Sequence, residues 1–515
     1  MGPANWDAVW VFVKFQPFGQ NYKHATLSTN PTHHKINNTN GVGYVITPSA
    51  DGKGVFMYRS NNSAPGPINW QNVELRWNYP LDGVLDTTSV TIQVFAIEMV
   101  YIPEGSFYIG DGNIGGYGSD YSYRVNNQEN VTPEGREAYL VTSENAIDFI
   151  TSSSTATNSV YDPTSGDYNY TLPADFPKGY AAFYCMKYEL SQKQYVDFFN
   201  TLPTSPVADP KKGKRNLGSN TSYRNYFTWS GNNLDNATTG SSSGDLPQNC
   251  LGWADACAWA DWAALRPMSE LEYEKICRGH DVTYGPIYPV KYEYPWGNTN
   301  ITNVSGSLTN ALTTSEGLPN PTTNNANAQY SGSSVTGPLR CGIFAAKNQT
   351  TNQRQQSGAS FYGVMELGGN LAEMVVSTFI PYSSYGSYCT ASQPLFSRNI
   401  HGDGALNSNG NCNIPTWTNN PYYLSEVVSS PLYDRYCYTG SSKSGNTPAN
   451  IAKIRGGSFG TSSSYLRTSD RNILPYVGYT SYGNYSTSSS TSSATNANVY
   501  QRNYYQGFRA VRTAP

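Results

Sequence analysis

Charge is what this chain has least of. Only 13% of its 515 residues are Asp, Glu, Lys or Arg, and the net charge is −3. A protein that grips nucleic acid through phosphates needs a basic face. None is written here, so no nucleic-acid partner is expected. Histidine is scarcer still, with five residues. His24, His33 and His34 fall in polar loop sequence, while His280 and His401 stand apart and make no ligand set. No apolar run approaches the ~18 residues of a membrane helix, so no transmembrane segment is expected. The opening MGPANWDAVW lacks the basic and apolar regions of a signal peptide; any signal is expected upstream of this sequence. Eight cysteines are present without a CxxC pair, which argues against a zinc ribbon. Cys257 and Cys277 sit in helical apolar patterns and suit buried thiols as well as bridges. Cys389, Cys412 and Cys437 lie in loop-like sequence and are the better bridge candidates.

Glycine (47), proline (31) and tyrosine (42) are abundant instead. The composition reads as a loop-rich β or α+β protein with a polar, uncharged surface, and the helical segments below favour α+β. WVFVKF, GVFMYRS, VELRWNY and VTIQVFAIE alternate with a period of two, with turn residues between them. We expect a β-sandwich-like domain over 1–98 and a second domain over 99–515. Within the second, 112–180, 205–248 and 300–360 read as loop insertions, and compact domains seldom carry such loops without use. Ser191 with Gln194, and Ser269 with Glu272, have capping-box spacing. They predict helices through YVDFF and LEYEKICR. WADACAWADWAAL has helical apolar spacing as well. All three helices are expected to be core and scaffold.

Seven segments in order resemble the formylglycine-generating enzyme (sulfatase-modifying factor) family: MVYIPEGSFYIGDG (99–112), YCMKYELSQKQYVDFF (184–199), LRPMSELEYEKICRG (265–279), YPWGN (294–298), FYGVMELGGNLAEMV (361–375), IRGGSFG (454–460) and QGFRAVR (506–512). The resemblance implies a variant of the C-type lectin fold, mixed α+β with little regular structure. It also implies chemistry that this chain lacks the residues for. In the enzymes, two cysteines between RGGS and GFR bind copper and react with a substrate peptide. After Gly457 this chain has no Cys, His, Lys or Glu, and Asp470 is the only carboxylate side chain. Serine does not replace a thiolate without an adjacent base. The histidine-built iron site of other superfamily branches has no counterpart either, so neither copper nor iron is expected. Calcium is a candidate cofactor, because Asn370 and Glu373 in GGNLAEM match the family's calcium-binding turn. The alternative is that Glu373 pairs with an internal arginine or a backbone amide.

Tyrosine, serine and asparagine fill the cysteine-free interval, 458–512. This is a binding vocabulary, with rigid aromatic area and adaptable hydrogen bonds. The interval resembles the variable region of diversity-generating-retroelement proteins of bacteria and phage. There, adenine-directed mutagenesis spreads Asn codons to Tyr, Ser and Thr. We expect a non-enzymatic recognition or adhesion protein, displayed on a cell surface or virion or extracellular, with Tyr479, Tyr482, Tyr485, Asn503, Tyr504 and Tyr505 contacting a protein or glycan on another surface. The first alternative is a self-assembling structural subunit of a surface filament, a secretion or motility apparatus, or a phage tail. The second is a divergent enzyme of the family, built on Glu366, Glu373, His401 and Arg455.

Overall fold

The computed structural model describes the chain outside residues 1–6, 61–66, 112–123, 126–136, 151–159, 162–169, 204–209, 233–234, 241–243, 282–283, 321–324, 347–352, 379–395, 408–409, 419–451 and 472–501. Its centre is an antiparallel sheet. We label its strands β1 (Asp7–Pro17), β2 (Tyr44–Pro48), β3 (Val55–Arg59), β4 (Val90–Ile102) and β5 (Phe183–Met186). Helices α1 (Gln192–Asn200) and α2 (Trp253–Trp262) follow. Then come β6 (Arg266–Pro267), α3 (Glu270–Arg278), β7 (Ala372–Val376), β8 (Ala452–Arg455), β9 (Gln506–Gly507) and β10 (Ala510–Thr513). The order across the main sheet is β6–β10–β5–β4–β1–β3–β2, with Lys23–His24 as a short extra strand on β1. A smaller sheet runs β8–β7–β9.

Both faces of β1 are buried, which explains why DAVWVFVKF is nearly all apolar. Alternate residues serve different cores. Trp10 and Phe12 face the helices. Phe12 and Phe95 meet the Trp262 ring edge-on at 5.2 and 4.9 Å, and Trp10 Nε1 donates to the Ala263 carbonyl at 2.9 Å. Val11, Val13 and Phe15 point the other way, into a cluster with Leu27, Ile36 and Ile46. Strand β4 pairs with β1 from Val90 to Val100 and with β5 from Met99 to Ile102. Position 98/99, where the sequence alone places a domain junction, lies inside this strand.

The helix starts follow their sequence signals. Ser191 Oγ accepts from Gln194 N–H at 3.2 Å, and Gln194 Oε1 accepts from Ser191 N–H at 3.0 Å. Ser269 and Glu272 exchange the same pair at 3.1 and 3.0 Å. The class is mixed α+β, rich in strands. Among the described residues no helix is long and apolar enough to cross a membrane.

Candidate functional site

The segment that lacks its cysteines begins at β8. Arg455 ends that strand, and Gly456 and Gly457 follow with φ of +84° and +63°. A Cβ on Gly456 would stand 2.3 Å from the Leu367 carbonyl oxygen, so only glycine fits there. Arg455 and Arg471, on either side of the Ser458–Asp470 stretch, both reach the acidic side of α3. Arg455 meets Glu270 at 3.3 Å and Glu274 at 3.2 Å. Arg471 meets Glu270 at 3.1 Å and also pairs with Glu274. Arg278 pairs with Glu274 and, at 2.7 Å, with Glu293, and Lys453 lies 3.6 Å from Glu270. Burial alone would raise both carboxyls. For Glu270 the charges of Lys453, Arg471 and Arg455 outweigh it and hold the group at about 2. For Glu274 those of Arg471, Arg278 and Arg455 do the same, again to about 2. The arginines of RGGSF and SDRN are thus consumed in folding, and they rivet the Ser458–Asp470 stretch at both ends.

Its far end returns to the same region. Tyr504 stacks on Tyr223 with ring centres 4.7 Å apart and planes 6° from parallel. Tyr505 leans on Phe459 at 4.9 Å and meets Tyr223 edge-on at 6.0 Å. Burial raises the Tyr505 phenol, and its bond to the Tyr223 hydroxyl raises it further. Phe459 and Tyr504 are buried, while Tyr223 and Tyr505 are half-buried. Four rings from three parts of the chain make one aromatic face.

Two of the expected contact residues are buried. Asn503 is buried: its Oδ1 accepts from Tyr505 N–H at 3.0 Å and its carbonyl accepts from Cys250 N–H at 2.9 Å. It builds the turn under the face and is not exposed. Tyr504 is buried too, and backs Tyr223. Tyr505 does lie on the face. Tyr479, Tyr482 and Tyr485 lie outside the described residues. Tyr223 was not expected at all, because it comes from an Asn/Ser-rich loop without periodic signal.

Asn370 and Glu373 both have partners within the fold. Asn370 Oδ1 accepts from Leu339 N–H at 2.7 Å, and its Nδ2 donates to Glu189 Oε2 at 2.6 Å. Glu373 Oε1 faces the Arg509 guanidinium, with Nε at 2.7 Å and the terminal nitrogen at 2.5 Å. The position beside the carboxylate is held by an internal cation, the alternative left open by the sequence. Among the described residues no group of three or more His, Cys, Asp or Glu side chains is placed to hold a metal ion.

Glu189, Glu366 and Glu373 crowd one guanidinium, that of Arg509. Burial pushes Glu366 up to about 7, and Glu189 is raised by burial and by the charge of Glu373. Arg455 is the cross-strand partner of Glu373 yet turns to α3. His401 stands elsewhere, its Nε2 accepting from Thr513 N–H at 3.0 Å. The four residues of the enzymatic alternative are therefore engaged by different partners. Cys185, Cys250, Cys257, Cys277 and Cys341 are free thiols, and burial raises each of them. Cys412, one of the bridge candidates, is a buried thiol beside the Asp261 carboxyl. Cys389 and Cys437 lie outside the described residues.

No curated protein matches the chain. Residues 91–514 match the sequence model of the sulfatase-modifying factor enzyme 1-like domain, a span that contains α3, the GGNLAEM turn and the whole RGGSF-to-GFR interval. With most of its length in that match, and with the family's landmark arginines holding the core together, the chain belongs to the sulfatase-modifying factor enzyme 1-like family.

Proposed function

We propose that this chain is a recognition protein, in which the interval between RGGSF and GFR serves as a binding surface. The carrying observation is the aromatic face of Tyr223, Phe459, Tyr504 and Tyr505. It stands at both ends of an interval that has no cysteine, histidine or lysine to act as nucleophile or base. Flat, partly exposed tyrosines backed by buried rings suit contact with a protein or glycan on another surface. Tyr479, Tyr482 and Tyr485 belong to the same interval and extend the same chemistry. A displayed location, on a cell surface or virion, goes with this role. No copper or iron enters it.

The test is binding of the purified chain to arrayed glycans and surface proteins. Tyr223→Ala and Tyr505→Ala are expected to abolish the captured signal and shift the melting temperature little, since both side chains are half exposed. Loss of stability with binding intact would sink the assignment. Oxidation of a cysteine-containing substrate peptide by the copper-loaded chain would replace it with the enzymatic reading. Diversification has its own test in the gene: a near-repeat of the codons for 458–512, differing at adenines and lying beside a reverse transcriptase gene.

A further inference from the structure

Away from the aromatic face, the main sheet has an edge that nothing in the described chain covers. Strand β5 pairs with β4 only over Met99–Ile102. From Val90 to Ile97, β4 has β1 on one side and no described strand on the other. The backbone direction is fixed by two bonds. Glu98 carbonyl accepts from Lys187 N–H at 3.0 Å on the β5 side, and Val13, opposite Val94, turns its carbonyl away from β4 to Ala25 N–H at 2.9 Å. Residues two apart on a strand point their amides the same way. Ile92, Val94 and Ala96 therefore aim N–H and C=O at the open side.

The side chains there are apolar and wet. Ile92 is 52% exposed and Val94 61%, on the face that Val13 and Phe15 bury one strand away. Phe18 (95%) is tied to Ser89 just before the strand, and Leu85 (70%) lies in the turn leading into it. Natural sheets blunt such edges with charge, proline or shortness. The other ends of this sheet do so: β2 closes on Pro48, and β6 is a two-residue strand containing Pro267. VTIQVFAI, residues 90–97, has neither charge nor proline.

We propose that this edge pairs with the same edge of a second copy of the chain. Three features favour a copy over another partner. The strand is neutral and the chain nearly so, so like-charge repulsion does not oppose association. A two-fold axis at Gln93 sets outward-pointing Ile92 against Val94 of the copy, and Val90 against its Ala96. On the face that carries Ile92 and Val94 every pair is then apolar, Gln93 meets Gln93 on the other face, and the outward backbone groups meet as hydrogen-bonded pairs. The exposed Leu85 lies in the turn leading into the strand and adds apolar surface at its start.

Sedimentation equilibrium of the full chain tests this. The expected mass is twice that of one chain. Val94→Lys places a charge in the seam at a side chain that the fold leaves exposed, and it is expected to halve the mass with the melting transition unchanged. Ile92→Pro removes a donor that only the copy would use and is expected to do the same. Hydrogen exchange of the Ile92, Val94 and Ala96 amides should slow with protein concentration in the wild type and not in Val94→Lys. A wild type that sediments as one chain overturns the proposal. So does a dimer that both variants leave intact, or amide protection that does not depend on concentration.

Discussion

Glu274 touches three guanidiniums and the Gly110 N–H, the last at 2.7 Å. Beside it Glu270 answers Lys453, Arg455 and Arg471. Each of these two acids answers three cations, so removing one strands more charge than removing a single base. Breaking a buried pair from one side costs about 3–5 kcal/mol. Glu274→Gln is expected at the upper end of that range and Lys453→Met below it, since Glu274 holds three guanidiniums while Lys453 acts on Glu270 from 3.6 Å. Urea unfolding of the two variants decides this; equal losses would mean that the knot is not acid-limited. The arginines of RGGSF and GFR could be singled out in the sequence as parts of landmarks. Their partners could not. Arg455 finds Glu270 185 residues away, and Arg509 finds Glu373 at a separation of 136. Ion pairing at such distances is decided by the closed fold, and no local spacing encodes it.

Elements were legible where their signal is local. The capping boxes of α1 and α3 lie within four residues, and both helices start where the serines stand. The caps differ in what else they hold. Ser191 sits at the rim of its helix, half-buried. Ser269 is buried, and its hydroxyl also donates to the Pro177 carbonyl at 2.8 Å. Replacing an N-cap serine by alanine costs ~1 kcal/mol, and a lost buried hydrogen bond adds ~1–3 kcal/mol. Ser269→Ala should therefore lower the melting temperature clearly more than Ser191→Ala; equal shifts in calorimetry would refute the difference. Strand β4 shows the limit of local reading. Its alternation predicts a strand correctly, but period two does not say that one end completes the N-terminal layer while the other joins β5. That depends on Phe183–Met186, more than eighty residues on. The aromatic face was half legible for the same reason: Tyr505 belongs to the tyrosine-rich interval, but Tyr223 arrives from a loop whose position only tertiary contacts fix.

At the scale of the whole molecule, a chain poor in charge keeps much of that charge inside, and some of its buried carboxyls are moved in opposite directions. Glu270 and Glu274 are held at about 2, below the usual 4.5. Their contribution is present above pH ~4.5 and is lost as pH falls toward 2. Glu366 is raised by burial to about 7. Folded, it keeps its proton to about pH 7; unfolded, it gives the proton up near 4.5, so stability falls as pH rises between those values. Glutamine mimics the protonated form and keeps an oxygen for the Gly342 N–H, which bonds Glu366 Oε1 at 3.0 Å. Glu366→Gln should therefore match the wild type below pH ~4.5 and exceed it above pH ~7, by up to ~3 kcal/mol at about 1.4 kcal/mol per pH unit. Glu270→Gln should run the other way, weakest above pH ~4.5 and converging on the wild type toward pH ~2. Unfolding free energies of the three proteins across that range test both signs at once. Parallel curves for Glu366→Gln and the wild type would mean that Glu366 is ionised in the folded chain at neutral pH, and that Arg509 neutralises more than one carboxylate.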